Sequence, residues 1–142
     1  MSTFYRILEH VSDAYVEVEG RSLEECFSKA GLAVVDIMVD LDSISPVSSV
    51  DVRVKGFDLY SLLYNFLEDV LVKVTSGEFL PCSMDVKISR DGESFVVDAK
   101  YYGESFVLGK HRAKVEVKAI TYHLMEIVEK DDGCVVRFLL DL

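Results

Sequence analysis

The chain has 142 residues, 50% of them hydrophobic and 28% charged, which is typical of one soluble globular domain, here expected to span residues 1–142. Its 15 Lys and Arg against 25 Asp and Glu give a formal net charge of −10, which repels nucleic-acid phosphates and anionic lipids. The sequence contains neither an apolar run of the roughly 18 residues that a membrane span needs nor a secretory signal pattern. We therefore expect a cytoplasmic protein without stable nucleic-acid or membrane binding.

Two segments of the first half carry helical patterns. Ser22 and Glu25 have the spacing of a capping box, and apolar residues at intervals of three and four predict a helix from there to about Val39. A second helix is expected between Asp58, as its N-terminal cap, and Gly77, as its stop. The dense apolar residues of both segments require a sheet to pack against.

Strands are predicted wherever polar and apolar side chains alternate. The predicted strands cover residues 15–20, 50–55, 83–88, 93–101, 115–120, 124–129 and 134–140. Asp91-Gly92 and Asp131-Asp132-Gly133 are expected to form hairpin turns between strands of the second half. The pattern predicts an α+β domain, with two helices packed on a curved, mostly antiparallel β-sheet or folded β-sandwich.

Motifs that would indicate an enzyme are missing from the sequence. It contains no phosphate-binding loop, no dinucleotide fingerprint, no zinc-protease H-E-x-x-H and no G-x-S-x-G, so we expect no catalytic residues. Cys26, Cys82 and Cys134 include no C-x-x-C pair, and we expect them to be reduced packing thiols.

Residues 8–13, Leu-Glu-His-Val-Ser-Asp, form a polar break before the first of these strands. In a purely structural interpretation, His10 and Ser12 bond to local backbone groups and Asp13 caps a turn or faces solvent. In the functional interpretation, Asp13 is a hard oxygen ligand for a divalent cation.

The chain ends on Asp141-Leu142, directly after an apolar strand pattern. A strand that continues to this point would fix the Leu142 carboxylate beside the Asp141 side chain, and two such close anions are costly unless a cation lies between them. The alternative is a frayed and solvated tail.

Lys118 lies among short and apolar neighbours in the predicted strand 115–120. A lysine held there could act as a fixed cation toward phosphate or carboxylate. Alternatively, it is an outward-facing strand residue with Glu116 beside it. We expect His111 and His123 to be structural histidines.

Taken together, five segments resemble the archease family. Residues 118–123, Lys-Ala-Ile-Thr-Tyr-His, are similar to the family signature K-A-[VI]-T-Y-H, and residues 8–13 resemble its opening L-D-H-T-A-D. Residues 22–27 resemble T-L-E-E-A-F, 103–106 resemble G-E-x-[FY], and 140–142 resemble L-D-[IL]. The resemblance runs through the whole chain in the family's order.

The resemblance implies an activator protein rather than an enzyme. Archeases promote guanylylation of an RtcB-type RNA ligase and its multiple turnover in tRNA splicing. By resemblance, Asp13, Asp141 and Leu142 would hold a divalent cation, Ca²⁺ or Mg²⁺. Lys118, with Glu9 and His10 of the opening motif, would act on the partner ligase.

Two other functions could use the same residues. A stand-alone metal-dependent hydrolase would use the same carboxylates, although no pair of nucleophile and base is apparent in the sequence. A chaperone or adaptor of nucleic-acid-processing proteins would use the acidic surface without a metal.

Overall fold

The computed structural model describes residues 4–8 and 12–142. In chain order the elements of these residues are β1 (Arg6–Leu8), β2 (Asp13–Gly20), α1 (Leu23–Met38), a 3-10 turn (Leu41–Ser43), β3 (Ser48–Gly56), α2 (Leu59–Ser76), β4 (Leu80–Asp91), β5 (Ser94–Glu104), β6 (Ala119–Lys130) and β7 (Gly133–Asp141). A four-stranded sheet has the order β1-β2-β7-β6, and a three-stranded sheet has the order β3-β5-β4. Every pairing between these described strands is antiparallel, and with the two helices packed on them this confirms the predicted α+β class.

Both helices begin where their caps predict. The Ser22 hydroxyl accepts the Glu25 backbone N–H at 3.1 Å and so caps α1. Asp58 and Ser61 form a reciprocal capping box at the start of α2. The second helix ends at Gly77, whose φ of 74° is the left-handed conformation that glycine adopts without a Cβ penalty.

One hydrophobic core joins the two sheets, because each helix packs against strands of both. Phe27 of α1 packs on Phe66 of α2 with ring centroids 5.9 Å apart, and Phe66 meets the edge of Tyr101 of β5. The buried Tyr101 hydroxyl donates a 2.9 Å hydrogen bond to Asp69, so the core remains satisfied where a polar group enters it. No helix among the described residues is long and apolar enough to cross a bilayer.

The prediction of a separate strand over residues 115–120 is wrong. Residues 114–118 belong to no strand, and β6 begins at Ala119 and continues to Lys130. The reason is the length of the partner strand: β7 ends at Asp141, which pairs with Ala119, so earlier residues of this segment have no neighbouring strand. The predicted strand 124–129 is the second part of β6.

Candidate functional site

The fold brings Asp13 and Asp141 side by side. Asp13 is the first residue of β2 and Asp141 the last of β7, and the two are direct partners in the antiparallel ladder. Directly opposed residues place their Cβ atoms on the same side of a sheet, about 4.5–5.5 Å apart. Two carboxylates predicted from opposite ends of the chain therefore share one end of the four-stranded sheet.

Lys118 lies at the same end of this sheet. Its backbone N–H donates a 2.7 Å hydrogen bond to the Asp141 carbonyl oxygen. Val117, the residue before it, is buried in the core, whereas the Lys118 side chain is exposed and has no carboxylate within ion-pair distance among the described residues. The backbone is thus anchored on both sides of the Lys118 peptide while the ammonium group is left available.

The other predicted site residues are placed as follows. Glu9 and His10 lie outside the described residues. Leu142 is half-buried and packs against the hydrophobic core. Within residues 4–8 and 12–142, no three His, Cys, Asp or Glu side chains form a cluster that could hold a metal ion.

His111 has a structural environment, as expected. It is buried, and its Nδ1 accepts the Val107 backbone N–H at 2.8 Å, so the proton must lie on Nε2, which is 2.8 Å from Glu104. Lys110 and the Ser45 backbone N–H also bond to the same Glu104 oxygen. The hydrogen bond from Lys110 first, then those from the Ser45 backbone and His111, lower the pKa of Glu104 to about 2.

The Glu104 carboxylate holds the start of the loop that leads from β5 to Lys118. Farther along the loop, the Lys114 backbone N–H bonds to Met38 O at 2.7 Å, and its ammonium group donates to Asp36 O at 2.6 Å. The sequence resemblance included Glu104 but gave it no role. Its partner Ser45 lies 59 residues away in sequence, and no local pattern indicates that contact.

A bulge interrupts β6 immediately after the start of the strand. Register is lost between Thr121 and Glu126, and Leu124 has a φ of 60°, the only positive φ of a non-glycine residue in the described part of the chain. The Tyr15 hydroxyl donates to the Leu124 carbonyl at 2.8 Å and holds the bulge to β2. Tyr122 and His123 are thereby presented at the surface.

An open cleft of about 1020 Å³ lies beside the loop that precedes Lys118. Its charged side chains are of both signs: Asp36, Asp40, Asp42, Lys110, Arg112 and Lys114. Two of these cations are already engaged, Lys110 by Glu104 and Lys114 by the Asp36 carbonyl. Neither Asp13 nor Lys118 lines the cleft, which is therefore separate from the predicted site.

The described groups suit binding better than nucleophilic chemistry. Both ring nitrogens of His111 are used in internal hydrogen bonds. Burial, reinforced by Cys134, raises the pKa of the Cys26 thiol to about 12, which disfavours the reactive thiolate. Of the described residues, the two carboxylates Asp13 and Asp141 and the exposed Lys118 lie at this end of the sheet.

Comparison with known proteins shows the family of this chain. The profile of the Archease protein family (MTH1598/TM1083) matches residues 5–142. The chain belongs to the archease family. The archease of Sulfurisphaera tokodaii is 33% identical over 138 residues, which are 97% of this chain and 98% of that protein. The archease resemblance of the sequence is therefore confirmed over nearly its whole length.

Two solved structures share the fold. Protein 1598 of Methanobacterium thermoautotrophicum is 30% identical, with a TM-score of 0.85 over 98% of this archease and 99% of that chain. An archease from Thermotoga maritima, described as a possible chaperone, is 18% identical, with a TM-score of 0.60 over 100% of both chains. The first supports both family and fold, and the second supports the fold alone.

Proposed function

We propose that this archease activates an RtcB-type tRNA-splicing RNA ligase, promoting its guanylylation and multiple turnover without catalysing a reaction itself. The observation that carries the proposal is the convergence of Asp13, Asp141 and Lys118 at one end of the four-stranded sheet. These residues come from three separate segments that resemble the family motifs, and the segment of Lys118 is the most specific of the three.

The proposal includes a divalent cation at the paired carboxylates. Like charges directly opposite each other in a sheet are destabilising, and an all-oxygen donor set suits Ca²⁺ or Mg²⁺ better than zinc. Asp13 and Asp141 would hold the ion, with the carboxylate of Leu142 as the third predicted ligand. When bound, the ion would supply positive charge toward a phosphoryl group of the guanylylation reaction.

Lys118 and the overall charge would act on the partner directly. The exposed ammonium group can contact a phosphate or a ligase carboxylate, and the anchored backbone at Val117 and Asp141 limits the freedom lost when it does so. The net charge of −10 would steer the protein toward a basic RNA-binding surface.

The test is a guanylylation assay with the cognate RtcB-type ligase, GTP and a divalent cation. We expect this archease to increase both the rate of ligase guanylylation and the number of RNA joining events per ligase. The archease alone should release no phosphate and join no RNA. An unchanged ligase rate would contradict the activator role, and turnover by the archease alone that Asp13→Asn abolishes would favour the hydrolase.

A chaperone role is the second candidate, and one surface feature favours it. Phe106, Val107 and Leu108 form an exposed apolar loop, with Leu108 89% exposed. A chaperone would suppress aggregation of unrelated heat-denatured proteins, such as citrate synthase, and would do so less well after Leu108→Ser. Protection restricted to the ligase would favour the activator role instead.

A further inference from the structure

Three tyrosines form an aromatic patch on the side of the molecule where α2 meets the bulge of β6. Tyr60 and Tyr64 lie one turn apart on α2, and the Tyr60 hydroxyl accepts the Ile127 backbone N–H at 3.4 Å. Tyr64 stacks on Tyr122 with ring centroids 4.3 Å apart and planes 7° from parallel. Tyr60, Tyr64 and Tyr122 together form this aromatic patch.

The outer ring of the patch is open to solvent. Tyr122 is 52% exposed although one of its faces is covered by Tyr64, so the opposite face is available for a further planar group. The bulge fixes the ring there at the cost of a left-handed Leu124, and such strain is retained when its surroundings hold it in place. The exposed face is therefore a preformed surface and not a loose side chain.

The charge around the patch is negative, and no basic side chain of the described residues pairs with it. Asp58 and Glu68 both lie close enough to the Tyr122 hydroxyl to help raise its pKa, after burial and Tyr64. Neither carboxylate has a Lys or Arg within ion-pair distance among the described residues. One Asp58 oxygen accepts the Ser61 backbone N–H in the cap of α2, but neither carboxylate is neutralised by a basic side chain in the described part of the chain. An aromatic face beside these two carboxylates is complementary to a planar cation, and it repels the phosphates of a nucleic acid.

We propose that the aromatic patch is a docking site for an arginine of a basic protein segment, with the guanidinium stacked on Tyr122 and its charge balanced by Asp58 and Glu68. Arginine fits better than lysine because its cation is planar and weakly hydrated, so it can extend the stack. A second copy of this chain is an unfavourable occupant, since each copy carries a charge of −10. The inference does not require the partner to be an RNA ligase.

The test titrates hexa-arginine and hexa-lysine peptides into the ¹⁵N-labelled protein and follows amide chemical shifts. Both peptides feel the overall negative charge, so the diagnostic quantity is the ratio of their affinities. We expect hexa-arginine to bind about threefold more tightly, with the largest shifts over residues 57–68 and 120–127. Tyr122→Leu should remove the preference, and Tyr122→Phe should retain it.

Tyr102→Leu is the matched control, because the Tyr102 hydroxyl also bonds to a carboxylate, Asp85 at 3.0 Å, but lies on the other sheet. This variant should keep the preference for arginine. Equal affinities of the two peptides, a preference that survives in Tyr122→Leu, or shifts centred outside the patch would overturn the proposal. The comparison of the two peptides on the unmodified protein decides the question even if a variant fails to fold.

Discussion

Asp13 and Asp141 lie directly opposite each other on β2 and β7, so two acidic side chains share one side of the sheet at its end. Cross-strand pairs of like charge lower the stability of a sheet by roughly 0.2–1 kcal/mol. A cation bound between the pair would reverse this effect. If a cation binds there as proposed, the stability of the fold depends on its occupancy through this one pair of residues.

Removing one of these charges should separate the two effects. Without divalent cations, Asp141→Asn should melt at or slightly above the temperature of the unmodified protein, because the like-charge pair is gone. Ca²⁺ should raise the melting temperature of the unmodified protein and have little effect on the variant. Calorimetric titration with CaCl₂ and MgCl₂ measures the binding itself.

Asp131→Asn, in the exposed turn before β7, is the control for general charge effects and should bind the cation normally. Equal cation binding by Asp141→Asn and the unmodified protein would place the ion elsewhere. An absence of binding in both would remove the cation from the proposed mechanism.

The left-handed backbone of Leu124 in the β6 bulge leads to a prediction about the free energy of unfolding. A left-handed backbone is unfavourable for leucine by about 1–2 kcal/mol and is readily adopted by glycine. Leu124→Gly should therefore change the free energy of unfolding by less than about 0.5 kcal/mol, since relief of strain offsets the loss of a partly exposed side chain. Val128→Gly, in the regular part of β6, should destabilise the protein by about 1 kcal/mol. Urea denaturation compares them, and an equal loss in both would contradict the strain at Leu124.

The attachment of the loop to Glu104 should fail in acid. Because the pKa of Glu104 is lowered from 4.5 to about 2 in the folded protein, its contribution is fully present above pH 4.5 and is lost as the pH falls toward 2. The urea midpoint of the unmodified protein should fall more steeply over this range than that of Glu104→Gln. The exposed Glu78→Gln is the control and should keep the steep fall. Identical slopes in all three proteins would show that Glu104 is not the titrating group.

The helices and hairpins could be predicted from the sequence because their signals are local. Ser22 and Asp58 cap the helices that their spacing predicts, and Gly77 ends the second one. The hairpins form at the predicted Asp91-Gly92 and Asp131-Asp132-Gly133, with Gly92-Glu93 and Asp131-Asp132 as the two-residue loops. In each case the deciding hydrogen bonds or dihedral angles lie within a few residues.

The site depended on information that is not local. The pairing of Asp13 with Asp141 joins the two ends of the chain, and only the family resemblance placed them together. The position of Lys118 outside the strand follows from where β7 ends, which alternation of side chains cannot report. The stack of Tyr64 on Tyr122 and the bonds from Ser45 and His111 to Glu104 had no sequence signal that indicated the partner.

Lys118 should matter for activation of the ligase and hardly at all for folding, because its side chain is exposed. Lys118→Ala removes little buried surface, so its free energy of unfolding should stay within about 0.5 kcal/mol of the unmodified protein. If the Lys118 ammonium contacts a phosphate or carboxylate in the interface with the ligase, its removal leaves that charge unpaired. Binding of the ligase should then be weaker by about 2–5 kcal/mol. Lys130→Ala, an exposed lysine at the far end of β6, is the matched control.

The most direct measurement is the rate of guanylylation of the cognate RtcB-type ligase at saturating GTP. The unmodified protein, Lys118→Ala and Lys130→Ala are each added at the same concentration. The account predicts stimulation by the unmodified protein and by Lys130→Ala, and almost none by Lys118→Ala with an unchanged melting temperature. Full stimulation by a folded Lys118→Ala protein would contradict it.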